Sequence, residues 1–149
     1  MTKHLLALGA LGASLLLAAC GGTDTAETQS AGQAAPTSSA TSGAVTPDAG
    51  GRIIEVEMYT DENGNYFKPA DFEAKKGDVI RFRLAQGVHN VHFLPDSNPG
   101  VANLPPMGPM LQLPGQTTDV KVEWEPGTYF YQCDPHALLG MVGHVTVVQ

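Results

Sequence analysis

Beyond Gly50, no window of ten residues repeats its apolar side chains at a helical interval, so residues 51–149 must build a core from strands. Ile54, Val56 and Met58 alternate with Glu55 and Glu57, which predicts a strand with one buried face. Asp61-Glu62-Asn63-Gly64-Asn65 is a turn cluster, and a short strand around Phe72 runs into a second turn at Lys76-Gly77-Asp78. Further strands are predicted at Val79–Leu84, His89–Leu94, Thr117–Trp124, Thr128–Gln132 and His144–Val148, with Glu125-Pro126-Gly127 turning between two of them. Six prolines interrupt Pro95 to Gly115, which reads as a long irregular excursion. No repeat is present. Seven to eight short strands with frequent turns predict an all-β fold, an antiparallel sandwich or barrel.

The start of the chain is an address rather than part of that fold. Lys3 and His4 precede an uncharged, Leu- and Ala-rich run from Leu5 to Ala19. A membrane span needs about 20 apolar residues, so this shorter run fits the core of a secretion signal. Leu17-Ala18-Ala19-Cys20 resembles a bacterial lipobox, in which the cysteine thiol takes a diacylglycerol. By that resemblance residues 1–19 are a lipoprotein signal peptide, and acyl chains on Cys20 hold the mature protein to a membrane surface. Residues 20–50 are rich in Gly, Ser, Thr, Ala, Gln and Pro and have no aromatic residue. Such a segment buries too little apolar area to offset its ordering entropy, so a flexible tether is expected. Its root-mean-square reach would be about 30 Å. The folded domain is expected to span residues 51–149.

The full chain carries a net charge of −7, and −8 without the first nineteen residues, whose one ionised side chain is Lys3. An acidic chain is poorly suited to phosphate backbones, so no nucleic acid is expected as a partner. The charge serves either solubility or docking to a positively charged protein. Cys20 and Cys133 each have a better use than a disulfide, and none is predicted between them.

The chemistry is concentrated in Gln132-Cys133-Asp134-Pro135-His136-Ala137-Leu138-Leu139-Gly140-Met141. A thiolate, an imidazole and a thioether share one loop between two predicted strands, and a second imidazole, His89, lies far upstream. Two nitrogens and a thiolate around one ion, with a weak axial methionine, make the blue-copper electron-transfer site. Each residue alone has an ordinary reading, the cysteine as a small core hydrophobe above all. Their joint spacing is what points to copper.

Cys133, His136 and Met141, preceded by Gly127-Thr128-Tyr129-Phe130-Tyr131 and followed by Val142-Gly143-His144-Val145, resemble the plastocyanin and pseudoazurin branch of the cupredoxins. His89-Asn90-Val91 resembles their upstream ligand segment. The resemblance runs from about Ile53 to Val148 and implies a Greek-key β-sandwich. It implies His89, Cys133 and His136 as equatorial ligands of one type 1 Cu(I)/Cu(II) ion, with Met141 axial. Asn90 would tie the two ligand loops together and shield the sulfur. Pro135 would remove an N–H donor near it. Met107 and Met110 are alternative thioethers, and Met141 is preferred on spacing.

On a regular strand His92 points away from His89 and is read as a non-ligand. His144 is read as a surface or supporting residue. Neither forms the His-x-His sets of multicopper oxidases. Leu104, Pro105, Pro106, Met107, Leu111 and Leu113 either cap the copper end or pack on the side of the sandwich. In the first case they join Leu138 and Leu139 as an apolar rim around the edge of His136.

The expected function is one-electron shuttling, without catalysis of its own, between extracytoplasmic redox partners such as a c-type cytochrome or a membrane oxidase or reductase. A monomer in the periplasm or on the cell surface is expected. The alternative is a periplasmic copper-binding or delivery protein, against which a closed cysteine-containing site counts.

Overall fold

The computed structural model describes residues 44–149. The expected signal peptide, Cys20 and most of the expected tether lie outside the described residues. Among the described residues seven strands form two sheets: β1 (Ile53–Asp61), β2 (Gly64–Lys68), β3 (Asp71–Lys75), β4 (Val79–Leu84), β5 (Thr117–Lys121), β6 (Gly127–Gln132) and β7 (Val142–Val148). One sheet runs in the order β2-β1-β4-β5, the other β3-β7-β6.

The expected all-β sandwich is present, with sheets that are mixed rather than wholly antiparallel. β1 pairs with β4 in parallel, and so does β3 with β7. The other three pairings are antiparallel. The chain leaves the first sheet after Lys68 and comes back through the Lys76-Gly77-Asp78 turn, so β4 rejoins β1 running in its direction. Asp78 secures that turn. Its buried carboxylate accepts the Arg52 N–H at 2.9 Å and the Lys75 N–H at 2.8 Å.

Alternation decides what faces inward. Val56, Met58, Phe67, Ile80, Phe82, Leu84 and Val120 from the first sheet are buried against Ala74, Tyr129, Tyr131, Val145 and Val147 from the second. Tyr131 is the centre of an aromatic cluster, with ring centroids 4.9 Å from Phe67, 5.3 Å from Phe82 and 5.4 Å from Phe93. Such pairs add about 0.5–1.5 kcal/mol each beyond the area they bury. The one polar atom of Tyr131 is satisfied, its hydroxyl donating to the Ala70 carbonyl at 2.6 Å.

Several boundaries differ from the sequence reading. The turn after β1 is only Glu62-Asn63, and Gly64 at φ 110° lets the chain start β2 inside the expected turn cluster. The predicted strand His89–Leu94 makes two isolated bridges instead, His89 with Leu111 and His92 with Gln132. It passes between two different partners, so no ladder propagates. Upstream, the Val45 N–H donates to Asp119 at 3.1 Å and the Asp48 N–H to the Gly77 carbonyl at 2.9 Å. The folded part therefore begins before the expected boundary at Gly51.

The proline-rich excursion divides. A 3-10 turn covers Pro95–Ser97, and residues 102–106 line a groove beside Asp119, Val120, Lys121 and Glu123 on the flank of the sandwich. The chain then comes back to the end of the molecule that holds His89. Gly108 donates to the Val91 carbonyl at 2.9 Å, and Leu111, buried, exchanges both backbone hydrogen bonds with His89.

Candidate metal centre

The upstream imidazole is fixed by backbone before any metal is considered. His89 donates its N–H to the Leu111 carbonyl and accepts from the Leu111 N–H, at 3.1 Å and 2.8 Å. The ring is fully buried. The Cys133–Met141 loop closes on itself through a 3-10 turn, Asp134–Leu139. Cys133 N–H donates to the Met141 carbonyl and Met141 N–H to the His136 carbonyl, both at 3.1 Å. Gly140 ends the turn at φ 89°, a left-handed conformation that favours glycine.

These constraints bring three donors together. His89 Nδ1 lies 3.2 Å from His136 Nδ1 and 3.6 Å from Cys133 Sγ, and the sulfur lies 3.4 Å from His136 Nδ1. A point equidistant from all three is about 2 Å from each, close to the 2.0–2.1 Å and 2.3 Å of first-row metal bonds to nitrogen and sulfur. The set is two borderline nitrogens and one soft sulfur, which suits copper in either oxidation state. His89 and Cys133 are buried and His136 is half-buried. Among the described residues no other cluster of His, Cys, Asp or Glu has a metal-binding geometry.

A family model for copper-binding proteins of the plastocyanin/azurin family matches residues 54–148. The chain belongs to that family. It is a cupredoxin, and copper is its cofactor. The plastocyanin of Vicia faba is 38% identical over 99 residues, a match covering 63% of this chain and 99% of the relative. The chloroplastic plastocyanin of Oryza sativa is 39% identical over 104 residues, covering 66% of each, so the chain spans just under two thirds of that relative. Among solved structures, oxidised plastocyanin from Dryopteris crassirhizoma aligns with TM-score 0.53 and 30% identity over 64% of this chain and all of that one. Pseudoazurin from Hyphomicrobium denitrificans aligns with TM-score 0.54 and 29% identity, covering 65% and 76%.

The electrostatics of this cupredoxin site follow from burial. Burial lowers the pKa of His89, with the neighbouring His136 adding to the effect, and keeps the ring neutral. Burial raises that of the Cys133 thiol, opposed by backbone N–H groups of Asn90 and His136 directed at the sulfur. Copper held here would take the place of the Cys133 thiol proton.

The residues singled out in the sequence lie as follows. Asn90, buried, ties the two ligand segments: its Oδ1 accepts the Asp134 N–H at 2.9 Å and its Nδ2 donates to Asp134 Oδ2 at 3.0 Å. Pro135 occupies the first turn of the 3-10 segment. Met141 is fully buried, whereas Met107 and Met110 are 58% and 41% exposed. His92 Nδ1 is 3.1 Å from Asp134 and His144 Nδ1 3.0 Å from Asp71, so each faces a carboxylate outside the donor triangle. Three partners were not predicted. Thr60 and the Gln86 carbonyl contact the far nitrogen of His89, and Asp134 gathers Asn90, His92 and Gln132. No local motif marks Thr60, which lies 29 residues before the histidine it touches.

Proposed function

We propose that this cupredoxin carries single electrons between extracytoplasmic redox proteins, with copper held by His89, Cys133 and His136 and by Met141 as a weak axial donor. The observation that carries the reading is the His89–Cys133–His136 triangle with sides of 3.2–3.6 Å, two of its three residues buried. Copper bound there supplies a Cu(I)/Cu(II) couple. The protein's part is rigidity. The Leu111 bridge fixes His89, the Asn90–Asp134 pair fixes the loop entrance, and the Cys133–Met141 backbone bond fixes its exit. Donors held this firmly rearrange little when the charge at their centre changes.

His136 is the least buried of the four donors, and Leu138 and Leu139 beside it are strongly exposed. Met107, Met110 and Leu113 also expose apolar surface at the end that holds His89. An apolar rim around a partly exposed ligand edge suits short-lived docking over a small interface. A c-type cytochrome or a membrane oxidase or reductase fits as partner. Cys20 as lipid attachment and the Gly- and Ser-rich tether would keep the carrier near such a membrane. Cys20→Ser should move the protein from the membrane fraction to the soluble one. Retention of the variant at the membrane would contradict the anchor.

A delivery protein that hands over its metal is the competing reading. Buried donors oppose it, because release would require the loop to open. Electrochemistry of the copper-loaded protein separates the two: a carrier keeps its copper through repeated reduction and reoxidation, and a donor loses it.

A further inference from the structure

On β1 the inward positions run Val56, Met58, Thr60, and on β2 they run Phe67, Asn65. Both rows are apolar until the end next to the copper site, where each turns polar. Thr60 and Asn65 stand directly opposite one another in the register, and Thr60 Oγ1 donates to Asn65 Oδ1 at 2.6 Å. The same hydroxyl is 3.1 Å from His89 Nε2. The Gln86 carbonyl is also 3.1 Å from that nitrogen.

We propose that Thr60, oriented by Asn65, is a positioning residue that clamps the His89 ring from the side away from the donor triangle. The proposal rests on His89 being a copper ligand. A carbonyl only accepts, so Gln86 requires the proton on Nε2 and leaves Nδ1 free toward Cys133 and His136. That single bond does not fix the ring. The terminal torsion of a histidine is broad, and rotation about it swings Nδ1 out of the triangle. A second acceptor, from β1 rather than from the bend that holds Gln86, removes that freedom. Thr60 can accept because it spends its own proton on Asn65, so the single Nε2–H is shared between the Gln86 carbonyl and the Thr60 hydroxyl, each 3.1 Å away.

Gly87 shows that this approach is built closely. A methyl group there would lie 2.5 Å from Thr60 Oγ1 and 2.8 Å from His89 Nε2, and its φ of 100° also favours glycine. Only a residue without a side chain lets the hydroxyl and the ring meet. The far nitrogen of a metal-bound histidine commonly needs such a partner, and losing it weakens the metal.

The test compares Thr60→Val, which keeps the shape and removes the hydroxyl, with Thr60→Ser, which restores it. Cu(II) affinity is read by competition with a chelator, and exchange of the His89 Nε2–H is read by nitrogen-15 NMR in the copper-free protein. Thr60→Val should weaken Cu(II) binding about tenfold or more, with Thr60→Ser within about twofold of the parent. In the copper-free protein the Nε2–H of the Val variant should exchange several-fold faster. Equal affinity and exchange in parent and Val variant, or equal losses in Ser and Val variants, would overturn the clamp. Should Thr60→Val fail to fold, Asn65→Ala decides: faster exchange supports the clamp and unchanged exchange overturns it. A parent without a copper–thiolate band would instead sink the copper-ligand reading, and the copper-free NMR would still judge the clamp.

Discussion

At the scale of single residues, the tyrosines give an inexpensive check on the packing around the site. All four are held above their ordinary value of 10.0, for different reasons. Hydrogen bonds to Glu57 and Asp61 raise Tyr59 and Tyr66, the latter to about 12, and burial raises Tyr129 and Tyr131. A folded-state pKa above the unfolded one stabilises the fold at neutral pH. That contribution is present below pH 10 and fades as pH rises through the folded-state value. Ultraviolet titration should therefore show little phenolate at pH 10, with most of it appearing above that, and Tyr131 ionising only as the chain unfolds. A half-ionised population at pH 10 would mean that these contacts do not form. The methionines divide at this scale as well. Met107→Ala should leave the copper spectrum largely intact because Met107 is exposed, whereas Met141 is buried at the end of the Cys133–Met141 loop.

At the scale of elements, the Asn90–Asp134 link ties the two ligand segments alongside the His92–Gln132 backbone bridge. Asn90→Ala removes two hydrogen bonds and leaves the Asp134 N–H without its acceptor. Unfolding of the copper-free variant should show a loss of about 1–3 kcal/mol. Stability equal to the parent would show that water replaces the amide without cost. This link was legible in the sequence because Asn90 follows the candidate ligand His89 and the Cys133 loop is compact. The alternation of Val56 with Met58, and of Ile80 with Phe82, likewise announced β1 and β4. What could not be read were pairings that depend on distant chain. Nothing local to β1 says that its neighbour β4 runs in the same direction, because that follows from two sheet crossings. β2 was concealed because Gly64 and Asn65 have turn composition, and Thr60 was missed because its partner lies across the fold. His89 was expected on a strand, and its pairing with Leu111 depends on where a proline-rich excursion comes back.

At the scale of the whole molecule, the copper end and the chain's entry lie at opposite poles. β1 enters near Asp78 and Lys121, and runs to Thr60 beside His89. The Leu138–Leu139 rim, on the 3-10 turn of the ligand loop, therefore faces away from the end at which β1 begins. That rim is where electron transfer should be sensitive. Leu138→Asp places like charges opposite one another when two copies meet, and should slow electron self-exchange about fivefold or more. The reduction potential should stay put, since Leu138 is fully exposed and contacts no donor in the triangle. An unchanged self-exchange rate would move the port elsewhere. The central claim is one copper in a thiolate-containing, redox-stable site, and the most direct measurement is titration of the copper-free protein with Cu(II), followed by visible spectroscopy and voltammetry. One equivalent should produce an intense thiolate-to-copper band that Cys133→Ala abolishes, with reversible one-electron reduction. Absence of the band in the parent protein, or release of the metal on reduction, would contradict the account.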